Sequence, residues 1–419
     1  MLSNGGDLVR RQAISNMILV AIADADVQLV EALLTAGADP NEFSLSTAVV
    51  NGNIDIVRLL LNSGTGPVPS ARCIKHLDSS SDNVLFDALL KMTYEKETCL
   101  TILQMLLDSD RFNILSGASS HRTAFWRVLE SSDWEPELQN QIAFMMLNSV
   151  GNLDFACNGD DGTLMHHIVQ HGRKDMADFP LDRGANINTQ DNEGRTPFIS
   201  ACSYNPHMIT FLLKRGADPN LQYKDGRDPL HAAAIVGNFE ALEELWNHSF
   251  AKKRLDQSSG DGWTPLACAL AADHENVALF LISLGSNMKH TITSNGRTML
   301  HLATAFSYER VFEHIKKRGD VDVNVRDNIK NETPLLLVRN PLIPAVYIVL
   351  TFTQECAGTR YKPSSTKIIA ALLGAGADLG AAGSHLDRPL HIATITGRTD
   401  IVHVLTNHGA NLNAIGSNG

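Results

Sequence analysis

The chain has 419 residues, of which 44% are hydrophobic and 19% charged, with a formal net charge of −11. This apolar content is enough to bury a core, which excludes disorder throughout, and the negative charge argues against nucleic acid as a partner. The six cysteines form no C-x-x-C pair, so neither a zinc ribbon nor a disulfide framework is expected. No apolar run reaches the ~20 residues that a membrane span needs. We expect a cytoplasmic, intracellular monomer without a cofactor or membrane insertion, and a nuclear location stays open.

The first predicted elements are helix pairs in residues 1–64. The segments "VQLVEALLTAG" from Val27 and "IDIVRLLLNSG" from Ile54 have apolar residues at helical spacing and end in glycine, a common helix terminator. In residues 65–160 this pattern weakens, although "IAFMMLNSV" and similar segments still predict helix pairs joined by longer connections. We treat 1–64 and 65–160 as two separate parts of the chain.

A regular repeat occupies residues 161–419. Glycines at 162, 194, 226, 262 and 296 follow each other at intervals of 32, 32, 36 and 34 residues, which indicates a solenoid. They begin segments such as "GRTPFISAC", "GRDPLHAAAIVG" and "GWTPLACALAAD". The threonine of this motif is a helix cap, and the proline fits the first helical position. Further copies start near 331 and 386, with an insertion near 353–366 that we expect to be a surface loop.

These segments resemble the ankyrin repeat family, whose motif T-P-L-H-x-A is followed by a second helix and G-A-D-x-N. The resemblance covers residues 160–340 and 366–413 well and the first sixty residues fairly. It implies an all-α ankyrin-repeat solenoid. We expect about eleven helix-turn-helix units with short β-hairpin fingers, stacked in a single elongated, curved array.

The stretch "GTLMHHIVQHG" from Gly162 raises the question of a metal site. His167 and His171 are four residues apart, as in zinc hydrolases, but Ile168 stands where such an enzyme has its general-base glutamate, and no third ligand is identifiable. We therefore predict no metal site. Aligned on Gly172, His166 takes the motif position, which is structural in the family; alignment on Gly162 would give that position to His167.

Pro180 lies where the family has a leucine in the second helix. Because proline inside a helix costs about 3 kcal/mol, we predict a shortened helix here. A softened joint between the irregular front half and the regular repeats is the alternative.

The resemblance implies that partners bind the hairpin tips and the first-helix positions that line the concave face. The candidate partner-binding residues at these positions are His171, Tyr204, Tyr223, Arg227, Ile235, Val236, Trp263, Arg297, Phe306 and Tyr308. We predict a non-catalytic scaffold for a protein or peptide, with the binding surface centred on Trp263. The alternative is an enzyme that uses His171 and Glu193 as an acid–base pair in the groove.

Overall fold

A computed structural model of the chain describes residues 17–38, 42–63, 96–109, 128, 135–149, 153–154, 162–317, 321–337, 365–383 and 387–416. Contacts divide the chain into two compact units. The front unit comprises Met1–Leu164 and Asp182–Ala185, and the back unit comprises Met165–Leu181 and Asn186–Gly419.

The described residues of the front unit form helices. Their bounds are Val27–Thr35, Glu42–Asn51, Ile54–Asn62, Lys96–Asp108 and Pro136–Asn148, and residues 17–23 are also helical. Two of them begin at polar caps, since the side chains of Asp26 and Asn53 accept hydrogen bonds from backbone N–H groups three residues later. Most of the predicted 65–160 part lies outside the described residues.

The back unit is a stack of helix pairs. Its first helices are Leu164–Gln170, Pro197–Tyr204, Pro229–Val236, Pro265–Ala271, Met299–Ala305 and Pro389–Ile395. The second helices are Lys174–Asp182, Ile209–Lys214, Phe239–Trp246, Glu275–Ser283, Glu309–Lys317, Thr366–Gly374 and Thr399–Asn407. A further helix, Ser249–Arg254, and two 3-10 turns, Pro206–Met208 and Pro334–Leu337, complete the described set.

The predicted start and stop signals of these helices are formed. The Thr196 and Thr264 side chains accept hydrogen bonds from the N–H groups of Ile199 and Ala267, and a proline follows each threonine at the first helical position. After the second helix Ile209–Lys214, Gly216 has φ +93°, in the left-handed region that glycine enters most easily. Local sequence therefore sets both ends of a repeat.

Turns join one repeat to the next, and we call them the tips. Their extended arms do not form strands in the described residues, although Thr291 and Thr298 form an isolated antiparallel bridge. Backbone hydrogen bonds connect neighbouring tips: Lys224 to Glu193 (2.9 Å), Gly260 to Asp225 (2.7 Å), Ser294 to Asp261 (3.1 Å) and Asn328 to Asn295 (2.8 Å), with the N–H donor named first. The described part is thus an all-α solenoid. The β-hairpin fingers and the count of eleven units remain predictions.

The expected shortening of the helix at Pro180 is wrong. The helix Lys174–Asp182 continues through Pro180, which is buried together with Met176 and Ala177. These three positions lie on one face of the helix at the spacing of a core stripe, so the proline ring fills the place of the family's leucine. Only one helical N–H is lost, close to the end of the helix.

Candidate interaction surface

Four motif histidines each connect their own repeat to the next one. In each case the ring Nε2–H donates to a backbone carbonyl of the following tip: His166 to Arg195 (2.8 Å), His231 to Trp263 (2.9 Å), His301 to Glu332 (3.2 Å) and His391 to Ala414 (2.8 Å). The predicted structural role of His166 is confirmed. Because this bond belongs to His166 and not to His167, the alignment on Gly172 is the right one.

The other two histidines of this stretch differ in environment. His171 is exposed and His167 is partly buried. The described residues contain no group of three or more His, Cys, Asp or Glu side chains that could hold a metal ion.

Burial changes the protonation of the histidines inside the stack. It lowers the pKa of His166 and His274, and it lowers the pKa of His301 to about 4, with Arg297 adding to the effect. An imidazolium inside the stack would lose its hydration without gaining a counter-ion that compensates fully. These histidines are therefore neutral at pH 7, as hydrogen-bond donors to carbonyls can be.

Acidification should destabilise the back unit. The pKa of His301 is about 4 in the folded chain and ~6.5 in the unfolded chain. Between these values the unfolded chain binds a proton that the folded chain does not, so stability is complete above pH ~6.5 and falls as the pH decreases towards 4. We expect His301 alone to account for a loss of ~2 kcal/mol by pH 5. Urea unfolding at pH 8, 6.5 and 5 measures this slope, and His301→Asn should flatten it; an unchanged slope would contradict the assignment.

A second set of side chains caps the C-terminal ends of the first helices. Each lies at or just before the start of a second helix and donates to a carbonyl in the preceding repeat: Asn205 to Gln170, Asn238 to Cys202 (3.2 Å), His274 to Ile235 (3.0 Å) and Tyr308 to Leu270 (2.9 Å). Helix ends otherwise leave such carbonyls unsatisfied. Sequence reasoning missed this set, although a polar side chain at one repeat position was a readable signal.

Tyr308 is therefore part of the framework and not of an exposed surface as predicted. Oδ1 of Asp273 lies 2.8 Å from the same hydroxyl, so the Leu270 carbonyl and this carboxylate share its single hydrogen. The Tyr308 ring is stacked on Phe306 with centroids 5.8 Å apart. Burial, followed by the nearby Asp273 carboxylate, raises the pKa of Tyr308. Tyr308 and Phe306 are each 1% exposed, because they fill the space between two repeats.

The exposure predicted for Trp263 is wrong, since its side chain is only 2% exposed. The turn that carries it is closed by two hydrogen bonds, from Ser259 N–H to the Trp263 carbonyl (2.8 Å) and from Trp263 N–H to Ser259 Oγ (3.1 Å). The Trp263 carbonyl also accepts the bond from His231. Because these bonds fix the backbone of Trp263, which follows the tip glycine, its indole points into the stack.

The other predicted tip residues are buried as well. Arg227 is 6% exposed and pairs with Asp225, with Nε 2.6 Å from Oδ2. Its guanidinium lies over the ring of Tyr223, 4.6 Å from the ring centroid, and Tyr223 is itself 7% exposed. Arg297 is 4% exposed and pairs with Asp327 of the next tip. These arginines stabilise the tips, because each is close to a carboxylate of its own chain. Neither guanidinium group is exposed to form bidentate hydrogen bonds with a carboxylate of a ligand.

One repeat position at the end of the first helices carries a side chain that is exposed in some repeats and buried in others. We call it the first-helix column; its members are His171, Tyr204, Val236, Ala272, Phe306 and Thr396. His171 and Tyr204 are exposed and Val236 is half-buried, whereas Ala272 and Phe306 are buried. Ile235, beside Val236, is also buried at 4% exposure. The accessible candidates are therefore His171, Tyr204 and Val236.

The enzyme alternative pairs His171 with Glu193, and the structure places these two residues in different parts of the repeat. The Glu193 side chain is exposed on a tip, and His166 reaches that same tip through the Arg195 carbonyl. His171 follows His166 by five residues, which corresponds to roughly 7–8 Å of helix rise. An acid–base pair needs the two side chains within hydrogen-bond reach of each other, so catalysis by His171 and Glu193 stays a prediction.

Comparison with known families agrees with this geometry. The family described as "Ankyrin repeats (3 copies)" matches residues 138–223 and 201–293, and the family "Ankyrin repeat" matches residues 386–417. These parts of the chain consist of ankyrin repeats. It is also similar to Rabankyrin-5 of Mus musculus, with 26% identity over 194 residues. That alignment covers 44% of this chain and 14% of the relative's length.

Stacked repeats of this kind form extended concave surfaces that repeat proteins use for binding. Among the described residues, no helix is both long enough and apolar enough to span a membrane.

Proposed function

We propose that the back unit binds a protein or peptide partner without catalysis, along the open end of the first-helix column. The observation that carries the proposal is Tyr204, which is 45% exposed. Its counterparts in the column are histidine, valine, alanine, phenylalanine and threonine. The fold therefore does not require tyrosine at this position, and a large amphipathic side chain is a common interface anchor.

The neighbours of Tyr204 suit a partner with an apolar contact residue. Val236 offers aliphatic surface in the next repeat and His171 a polar edge in the preceding one. Arg227 and Arg297 are buried and paired with carboxylates of this chain, so they do not favour an acidic flank in the ligand. An extended segment with an apolar residue facing Tyr204 is the ligand that we propose.

Photo-crosslinking tests the location of this surface. A photoreactive phenylalanine analogue at position 204 should capture the partner, whereas the same group at Lys214, exposed on the second helix of the same repeat, should not. With the captured protein in hand, Tyr204→Ala should weaken binding by ~2 kcal/mol, or about 30-fold in Kd by calorimetry. Equal capture from both positions, or an unchanged Kd, would place the binding surface elsewhere.

A further inference from the structure

A cavity of about 690 Å³ opens between the second helices of three consecutive repeats. The residues that matter in its lining are His207, Glu240, Glu243, Glu244, Trp246 and Phe280. None of them belongs to the first-helix column, so the cavity is a separate surface of the back unit.

Three carboxylates line the middle of this cavity. Glu240, Glu243 and Glu244 are spaced so that they share one face of the helix Phe239–Trp246. Glu240 has His207 at 3.4 Å, and Glu244 accepts a hydrogen bond from the Thr210 hydroxyl. Glu243 is exposed, and its carboxylate has no hydrogen-bond or ion-pair partner among the described residues. The cavity wall thus carries negative charge that the fold leaves largely uncompensated.

Helix stability does not explain these carboxylates. The N-terminus of the helix is already capped by the Asn238 side chain, which accepts from Ala241 N–H. Glu243 and Glu244 lie in its C-terminal half, where the helix dipole disfavours negative charge. Glu240 and Glu244 are also a like-charge pair at i,i+4, which is destabilising. The three carboxylates therefore lower the stability of the helix that carries them.

Aromatic rings form the apolar part of the cavity. Trp246 and Phe280 are half-buried, and Phe280 is packed against Phe239 with ring centroids 4.8 Å apart. The Trp246 ring already attracts one cation of this chain, since Lys252 Nζ is 5.9 Å from its centroid. Aromatic faces attract ammonium and guanidinium groups, and tryptophan does so best.

We propose that this cavity binds the cationic side chain of a lysine or arginine that apolar residues flank in a partner protein. The carboxylates supply charge complementarity, while Trp246 and Phe280 accommodate the aliphatic stem and the neighbouring apolar residues. The described residues contain no group of carboxylates and histidines placed to share a metal ion. The occupant is an extended organic cation, and its binding is independent of the proposed first-helix site.

Fluorine NMR on the full chain labelled with 5-fluorotryptophan tests the proposal. Trp246→Phe assigns the Trp246 resonance among the four tryptophans. The probes are two capped peptides, GLRLRLG and its acidic counterpart GLELELG. The arginine peptide should shift the Trp246 resonance saturably, and the shift should weaken as salt is added. The double variant Glu240→Gln/Glu243→Gln should weaken this binding about tenfold.

The matched control is Glu193→Gln/Glu313→Gln, which removes two exposed carboxylates of the same unit outside the cavity. It changes net charge equally and should leave the Kd of the arginine peptide unchanged, as should Tyr204→Ala. The cavity double variant should keep or slightly raise the urea midpoint, which separates lost binding from lost folding. Equal response to both peptides, or equal weakening by the two double variants, would overturn the proposal.

Discussion

Replacing Trp263 by alanine is expected to lower the free energy of unfolding by about 3–5 kcal/mol. The indole is 2% exposed, so the truncation leaves a cavity in the stack and also forfeits the transfer free energy of a large side chain. Chemical unfolding followed by circular dichroism measures the change.

Tyr204→Ala is the control for this experiment. It removes an aromatic ring that is 45% exposed and should cost less than about 1 kcal/mol. If Trp263→Ala unfolds at the same urea concentration as the wild type, the indole is solvent-exposed in solution and the position assigned to this tip is wrong.

Replacing Arg297 by alanine is expected to be comparably destabilising, by about 3–5 kcal/mol. Its Nε is 3.1 Å from Oδ2 of Asp327, and the exposed fractions of the two side chains are 5% and 0%. Burial acts to raise the pKa of Asp327, but the N–H groups of Glu332 and Lys330, together with Arg297, lower it overall. The substitution would leave a buried carboxylate without its counter-ion, which explains the size of the expected loss.

The control for this pair is Lys367→Ala, which breaks the ion pair with Glu309 at 3.0 Å in the same unit. Its side chains are 80% and 43% exposed, so solvent screens the pair and the loss should stay below about 1 kcal/mol. Urea midpoints of both variants provide the comparison. Equal losses would mean that the buried pair gains nothing from its location between two tips.

The sequence alone was sufficient to predict the start and stop signals of the regular repeats in the back unit, but not the continuation of the helix Lys174–Asp182 through Pro180. The cap of Thr196 is a bond to Ile199 and the turn at Gly216 depends on a single φ angle, so both rest on residues within a few positions of each other. The period near 33 residues then predicted the stacking, because every repeat needs neighbours to bury its apolar face. The structural role of His166 was implied by the resemblance to the ankyrin family.

Only the tertiary structure decided which side chains remain accessible. Trp263 is held through a bond to His231, 32 residues away; Arg297 pairs with Asp327 at a separation of 30; and Tyr308 reaches Leu270 at a separation of 38. Each of these contacts joins adjacent repeats, and no local pattern in a single repeat specifies them. The direction of a tip side chain depends on what the neighbouring repeat offers it, so Trp263 is buried in the stack while Tyr204 is left exposed to solvent.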